Sequence, residues 1–233
     1  MTASRVLLEV AVATLDDARV AHVEEADRLE LCSALELGGL TPSAGLLDEV
    51  VRAIPLPVMV MIRPRAGEFI YAEGEFATML RDVDVAFEHG AAGVVFGVLR
   101  ESGGGIDVER TKAVLKRVAG RGETVFHRAF DVLGDPVAGL DALMELGMTR
   151  VLTSGGQATA VEGAETIGRL VERAAGRIEV LAGGGVTPGN VTRLVRVSGV
   201  GQVHGAFSEA RADLYRATSG VKLRETRAAL ARL

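Results

Sequence analysis

The amino-acid sequence predicts an α/β fold, a TIM (β/α)₈ barrel in which residues 1–233 form a single domain. A short apolar run rich in β-branched residues recurs eight times, each followed by a polar or glycine-rich turn and an amphipathic stretch. The runs begin roughly 20–35 residues apart, the length of a βα unit. No linker or low-complexity segment interrupts the repeat, which favours one closed barrel.

Each apolar run is predicted to be a parallel strand: Leu7–Val12, Arg28–Leu31, Val58–Ile62, Gly93–Phe96, Thr124–Phe126, Arg150–Leu152, Ile178–Ala182 and Gln202–His204. The alternative fold is an open doubly wound sheet. A glycine-rich dinucleotide-binding turn after the first strand would support that alternative. The sequence there is AVATLDD, which contains no glycine, so the barrel is the preferred prediction.

Helices are predicted between the strands, over residues 14–26, 41–54, 74–90, 107–120, 135–147 and 187–199. Ser43, Asp107 and Asp135 stand where an N-cap is expected. The predicted stops are the glycines Gly90, Gly120 and Gly147. In the first stretch, the residues at helical spacing are Leu15, Ala18, Val23 and Ala26.

Composition narrows the class of protein. Apolar residues make up 48% of the chain, enough for a sizeable core, and the net charge of -5 argues against a nucleic-acid partner. No apolar run approaches the roughly 20 residues of a membrane span, so no membrane partner is expected. The N-terminus lacks a clear signal peptide, which makes the cytoplasm the expected location. Cys32 is the single cysteine, so no intrachain disulfide can form.

Charged and polar residues collect where the predicted strands end, which is where TIM barrels carry their active sites. The candidates from strands one to four are Glu9, Glu30, Arg63 and Arg65, and those from strands five to eight are His127, Arg128, Ser154, Gly183, Gly184, Gly185 and His204. Charged strand ends often form structural ion pairs, and a Glu–Arg network inside the barrel is the alternative interpretation. Convergence of acids, cations and imidazoles on one rim favours a functional site.

Arg63 and Arg65 lie two residues apart in IRPR, with Pro64 restricting the backbone between them. Residues two apart in an extended segment face the same side, so both guanidinium groups are predicted to point to one carboxylate or phosphate. The alternative is that one of them pairs with Glu30 or Glu68.

Small residues end the sixth and seventh strands, in LTSGG and LAGGGVTPGN. Ser154 and the Gly183–Gly185 run are therefore predicted to contact an anion, since glycine turns and helix N-termini bind anions through free backbone N–H groups. The alternative is that these glycines only permit a tight turn.

Glu9, Glu30 and His127 are the candidates for acid–base catalysis, because histidine titrates near neutral pH and carboxylates accept protons. Asp131 is predicted to orient the loop after strand five rather than to touch a ligand. The lysines Lys112, Lys116 and Lys222 fall outside the predicted strands, which argues against Schiff-base chemistry.

Metal binding is suggested only weakly by these residues. Cys32 is a soft ligand, and Met59 and Met61 alternate on strand three. Thiolate and thioether ligands suit Cu(I), although methionine in a barrel strand is more often packing. No metal-ligand spacing such as C-x-x-C is present, so no metal site follows from the sequence alone.

Six segments of the chain together resemble the CutC family: LELCSALELGGLTPSAG, VMIRPRAGEFIYAEGE, GAAGVVFGVL, TVFHRAFDVLGDP, RVLTSGG and LAGGGVTPGNV. The match runs in order over nearly the whole chain. The resemblance implies a cytoplasmic TIM-barrel protein that forms a homodimer or a larger homo-oligomer. It also implies a role in copper homeostasis, with Cu(I) binding claimed for some members.

The chain departs from the family pattern on strand one, where many members have Glu-Val-Cys and this chain has Glu9-Val10-Ala11. A Cu(I) site would therefore have to combine Cys32 with a methionine, a histidine or a second subunit. Two hypotheses follow: a copper-homeostasis protein that binds Cu(I) through Cys32, and an isomerase- or lyase-like enzyme that holds a small anionic, phosphorylated or carboxylated metabolite.

Overall fold

The computed structural model describes residues 5–101, 105–210 and 216–233. Within them, eight parallel strands close into a barrel in chain order, which confirms the predicted TIM-barrel fold. The barrel strands are β1 Leu7–Val12, β2 Arg28–Leu31, β3 Val58–Met61, β4 Gly93–Phe96, β5 Glu123–Phe126, β6 Arg150–Thr153, β7 Glu179–Gly183 and β8 Gln202–Gly205. Each lies within one residue of its predicted limits, because the apolar runs are bounded by turn residues.

The helices surround the barrel. They are α1 Leu15–Val23, α2 Ala44–Ala53, α3 Glu73–Glu88, α4 Val108–Val118, α5 Pro136–Leu146, α6 Ala164–Ala174, α7 Val191–Ser198 and α8 Gly220–Leu230. Two short 3-10 helices, Leu35–Leu37 and Arg128–Val132, follow β2 and β5. Their residues lie at the barrel end that carries the predicted site.

The predicted helix caps are formed. Ser43, Asp107 and Asp135 each accept a hydrogen bond from a backbone N–H in the first turn of their helix. Gly147 ends α5 with φ of 75°, in the left-handed region that favours glycine. These local signals fix where each helix meets its strand.

Some elements differ from the sequence-based expectation. Helices α6 and α8 were expected from the eightfold repeat without stated limits, and an antiparallel hairpin of β9 Ser208–Ala210 with β10 Arg216–Thr218 was not predicted. Helix α7 begins at Val191 rather than near residue 187, because Thr187 and Asn190 first form a turn closed by Thr187 N–H to Asn190 Oδ1. Val23 ends α1 with 74% exposure, so it does not join the apolar face expected of it.

The strand register sets which side chains enter the barrel. Glu9 of β1 is level with Arg28 of β2 and with His204 of β8. Alternation along β2 then sends Arg28, Glu30 and Cys32 inward together. An apolar cluster fills the middle of the barrel: Cys32, Met59, Met61, Val95, Val125, Leu152 and Leu181.

A second polar group lies at the strand starts, opposite the predicted site. Arg150 is buried there, and its guanidinium donates to Glu123 at 2.9 Å and to Glu179 at 2.7 Å. Arg28 also donates to Gln202 at 2.9 Å. These bonds close the N-terminal end of the barrel with paired charges.

Among the described residues, no helix has the length and apolar character needed to span a bilayer.

Close packing inside the barrel gives a testable prediction at Gly93. A Cβ at this position would lie 2.5 Å from the Glu123 carbonyl oxygen and against the Met59 side chain. We expect Gly93→Ala to lower the free energy of unfolding by about 2–3 kcal/mol, because backbone blocks relaxation. Gly134→Ala is the control, since nothing lies within 4 Å there and a change below about 1 kcal/mol is expected. Urea unfolding of both variants measures the difference, and equal losses would contradict the packing account.

Candidate functional site

A cavity of about 340 Å³ opens at the C-terminal ends of the barrel strands, and we call it the mouth cavity. Five of the predicted site residues line it: Glu30, Arg63, His127, Arg128 and His204. The remaining wall is formed by Leu37, Gly38, Met61, Phe69, Asp131, Val132 and Leu152. Side chains from β2, β3, β5, β6 and β8, with their following loops, thus meet at one place.

Arg63 is buried and almost fully satisfied by backbone. Its two terminal nitrogens donate to the carbonyls of Leu37 at 3.0 Å, Gly39 at 3.2 Å and Gly67 at 2.9 Å. The guanidinium carbon lies 5.0 Å from the centre of the Phe69 ring, in cation–π geometry. The Arg63 Nε–H has no partner among the described residues, so it is the donor left for a ligand.

Arg65 does not share this site, and the expectation that both arginines hold one ligand needs correction. Arg65 pairs with Glu75 of α3 at 2.5 Å, and both side chains are partly exposed. Its other nitrogens donate to the carbonyls of Ala66, Glu68 and Ile70. Arg65 therefore stabilises the loop after β3. It does not reach the ligand site because the Glu75 carboxylate of α3 binds its guanidinium group.

His127 is buried, and its surroundings fix its tautomer. Nδ1 accepts a hydrogen bond from the Ala129 backbone N–H at 3.1 Å, so this nitrogen carries no proton. Burial and then the nearby Arg63 charge lower the pKa of His127 to about 3. The ring is neutral at physiological pH and Nε2 carries the proton. His127 is thus suited to donating a hydrogen bond. The sequence had instead suggested that it carries a proton in acid–base catalysis.

Glu9 lies beneath the mouth cavity rather than in its wall. One carboxylate oxygen accepts from Arg28 Nε, and the other is 2.8 Å from His204 Nδ1. Burial alone would raise the pKa of Glu9, but the His204 hydrogen bond and the Arg28 charge lower it to about 2. Glu9 is therefore a permanent carboxylate that orients His204.

Glu30 and His204 face each other across the cavity floor, with Glu30 Oε2 at 3.7 Å from His204 Nε2. Burial raises the pKa of Glu30, and the Glu9 charge adds to this against the opposing effect of His204. Burial lowers the pKa of His204, but the charges of Glu30 and Glu9 and the Glu9 hydrogen bond outweigh it, so the pKa is raised. Glu30 and His204 are thus placed to exchange a proton, while Glu9 orients the His204 ring.

Arg128 and Asp131 organise the loop that follows β5. Asp131 accepts from Arg128 Nε at 2.7 Å, from the Thr153 hydroxyl at 2.5 Å and from the Ser154 backbone N–H at 3.0 Å. This agrees with the loop-orienting role expected for Asp131. Arg128 is half-exposed at the cavity wall and is the cation nearest to solvent there.

Ser154 and the Gly183–Gly185 run lie behind Arg128, outside the set of residues that line the mouth cavity. The Ser154 hydroxyl binds Arg128, Asp131 and the Gln157 carbonyl, so its hydrogen bonds hold the loop. Gly184 has φ of 112°, and a Cβ there would lie 3.2 Å from the Arg128 guanidinium carbon. The glycine therefore makes room for Arg128, and its use in anion binding stays a prediction.

Glu9, Glu30 and His204 could also be considered as metal ligands, since one donor atom from each lies within 4.8 Å of the others. Both Glu9 oxygens already accept hydrogen bonds, from Arg28 and from His204. A cation would have to compete with the Arg28 guanidinium for that carboxylate. The arrangement favours an acid–base group, in which Glu9 is held by Arg28 and His204, over a metal cage.

Two contributors were missed from the sequence. Arg28 begins β2, and its spacing from Glu30 could have indicated an inward side chain, because residues two apart on a strand share a face. Phe69 lies in the loop after β3, with its ring centre 4.8 Å from that of His127. No local pattern identifies Phe69, since the loop conformation places it.

Three buried polar atoms in this region have no hydrogen-bond partner among the described residues: Glu30 Oε1, Arg63 Nε and His127 Nε2. All three residues line the mouth cavity and are at most 6% exposed. Buried polar atoms are nearly always satisfied, so a shared cavity lined by three exceptions indicates a ligand site. Two are donors, and the third belongs to a carboxyl group.

Comparison with known proteins gives concordant matches. A model of the CutC family matches residues 6–209. A Treponema denticola protein named as a CutC family protein is 46% identical over 88% of this chain and 83% of its own length. The human copper homeostasis protein cutC homolog is 42% identical over 96% of this chain and 79% of its own. The crystal structure of CutC from Streptococcus agalactiae superposes with a TM-score of 0.81 at 36% identity, covering 86% of this chain and 98% of that one.

The neutral state of His127 predicts a specific loss of stability in acid. The folded protein keeps His127 neutral down to about pH 3, whereas the unfolded chain binds its proton near pH 6.5. Acid therefore favours the unfolded state, and between pH 6.5 and about 5 this residue should remove about 2 kcal/mol of unfolding free energy.

Urea unfolding across that pH range compares the wild type with His127→Asn, whose amide oxygen can still accept from Ala129. The other histidines and all the carboxyl groups are common to both proteins, so their effects cancel. If the unfolding free energies of the two proteins fall equally with pH, the assignment of a neutral His127 is contradicted.

Proposed function

This chain belongs to the CutC family. From that premise we propose that it acts in copper homeostasis, the role named for its human and Streptococcus agalactiae relatives. We further propose that its mouth cavity is an enzymatic site that moves a proton on a small anionic carbonyl compound. The observation that carries the enzymatic proposal is a set of three buried atoms, on Glu30, Arg63 and His127, that have no partner in the described part of the chain.

The donors and the proton acceptor support one type of reaction. Arg63 Nε–H and His127 Nε2–H can both donate to a carbonyl oxygen, and a neutral histidine donor is a known means of polarising a carbonyl. Glu30 then removes a proton from the carbon beside that carbonyl. The C–H electron pair becomes a carbon–carbon double bond, and the resulting enolate oxygen is stabilised by the two donors.

In a substrate with a hydroxyl on the deprotonated carbon, the proton returns to the former carbonyl carbon while the hydroxyl proton passes to the enolate oxygen, which completes an isomerisation. Attack of the enolate carbon on a second carbonyl, or the reverse cleavage, gives lyase chemistry. His204 exchanges the proton with Glu30, and Glu9 keeps the ring oriented while Arg28 holds Glu9. Arg128 supplies positive charge at the cavity wall for the anionic group of the substrate. Glu30 and His204 are assigned these roles because they face each other across the cavity floor. The raised pKa of Glu30 lies nearer to neutral pH, which suits a general base.

Exchange of substrate hydrogen for deuterium tests this proposal. A panel of 2-oxo acids and phosphorylated ketoses in D₂O is followed by proton NMR for loss of the signal beside the carbonyl. We expect wild-type exchange on at least one member and a loss of about 10²–10⁴-fold in Glu30→Gln. Glu36→Gln is the matched control, because Glu36 is exposed beside the mouth and should leave exchange unchanged. Wild-type exchange no faster than buffer, or equal exchange in Glu30→Gln, would overturn the proposal.

The residues present do not fit a thiolate Cu(I) cage. Cys32 is fully buried, and its thiol donates to Glu30 Oε2 at 3.5 Å. Burial and the Glu30 charge raise the pKa of Cys32 well above its ordinary value, whereas Cu(I) binding requires the thiolate. Met61 is the nearby soft donor, since its methyl carbon and the Cys32 sulfur both border Gly39.

We therefore expect weak Cu(I) binding that does not depend on Cys32. Competition with a chromophoric Cu(I) chelator under reducing conditions compares the wild type, Cys32→Ala and Met61→Leu. Affinities within about threefold of one another would agree with a protonated, buried thiol, since a lost thiolate ligand costs far more. A loss of about a hundredfold or more in Cys32→Ala would instead make Cys32 a copper ligand.

We also propose that the chain works as a cytoplasmic homodimer, which rests on the family resemblance alone.

A further inference from the structure

A second, larger depression of about 650 Å³ adjoins the mouth cavity, and we call it the apolar groove. Its apolar wall is formed by Phe69, Ile70, Leu99 and Val132. Phe69 and Val132 also line the mouth cavity, so the two spaces share a wall. A ligand held in the mouth cavity can therefore extend into the groove.

Phe69 is the side chain that joins the two spaces. Its ring lies 4.8 Å from the His127 ring and 5.0 Å from the Arg63 guanidinium carbon, so it touches both donors of the mouth cavity. Its backbone carbonyl accepts from the Leu99 N–H at 2.9 Å, which ties the loop after β3 to the loop after β4. The groove wall is thus fixed to the donors rather than independent of them.

Charge decides which end of a ligand enters which space. The groove carries two exposed carboxylates, Glu68 and Glu101, and one cation, Arg100. The mouth cavity carries the cations Arg63 and Arg128 beside the carboxyl groups of Glu30 and Asp131, and Asp131 is already paired with Arg128. The unpartnered N–H groups of Arg63 and His127 add two donors for the oxygen atoms of a ligand. An anionic carbonyl end is favoured in the mouth cavity, and an uncharged end is favoured in the groove.

We propose that the apolar groove binds an apolar substituent of the substrate, so that the substrate class is an anionic carbonyl compound carrying an aromatic or branched hydrocarbon group. This inference rests on the proposed function of the mouth cavity. Val132 supports it independently, because this large apolar side chain is 62% exposed on the wall that the two spaces share. A bound hydrocarbon group would remove it from water and gain the corresponding burial free energy.

Two probes with the same charged head test the groove. Pyruvate fits the mouth cavity alone, and phenylpyruvate adds an aromatic ring. NMR titration gives both dissociation constants, and the Ile70 and Leu99 amide signals report occupation of the groove. We expect phenylpyruvate to bind at least about tenfold more tightly than pyruvate, with shifts of those two signals for phenylpyruvate only.

Variants of the groove wall distinguish binding of the phenyl ring in the groove from nonspecific hydrophobic binding elsewhere on the protein. Val132→Asn and, as a second variant, Ile70→Asn should reduce the affinity ratio of the two probes to below about threefold. Val197→Asn is the matched control, because Val197 is 48% exposed on α7 and away from both spaces. It should leave the ratio unchanged.

The outcomes distinguish the two proposals. If phenylpyruvate and pyruvate bind the wild type equally well, or if their affinity ratio is unchanged in both groove variants, the groove proposal is overturned. Glu30-dependent exchange would then still support the enzymatic site. Tight phenylpyruvate binding with groove shifts but without exchange supports the groove and counts against the enzymatic site. Failure of both probes to bind overturns the groove, and the wider exchange panel then tests the enzyme separately.

Discussion

The buried pairing of Glu9 with Arg28 and His204 is the interaction on which the rest of the site depends. A carboxylate inside the barrel is costly unless opposite charge and hydrogen bonds compensate it, and removing one partner of a buried pair usually costs several kcal/mol. Arg28 and His204 take one Glu9 oxygen each, from the two strands that flank β1. Closure of β8 onto β1 therefore also fixes the ring that faces Glu30.

The two arginines after β3 show how one short motif supports both the cavity and the groove. Arg63 and Arg65 donate to backbone carbonyls of the same loop, one from inside the mouth and one from outside. That loop presents Phe69 between the mouth cavity and the apolar groove. The two guanidinium groups therefore mainly hold this loop in place. Only the Arg63 Nε–H, among the described groups of these two arginines, is left to bind a ligand in the mouth cavity.

The chemistry of the mouth differs from what the copper-related names of the relatives would suggest. Its free groups are a carboxyl oxygen, a guanidinium N–H and an imidazole N–H, which recognise oxygen atoms. The soft sulfur of Cys32 is enclosed beneath Glu30 and kept as a thiol. The proposed role in copper homeostasis thus rests on family membership, whereas the proposed enzymatic site rests on this set of groups.

The sequence by itself determined the barrel, the limits of its strands and the caps such as Ser43, because hydrophobic periodicity and capping are local. It also determined that polar strand ends share one rim, since all strands of a parallel barrel point the same way. Tertiary structure alone decided that Arg65 turns outward, that His127 is neutral and that Glu9 orients His204 from 195 residues away. Those outcomes depend on burial and on competition between partners distant in the chain, which no local pattern encodes.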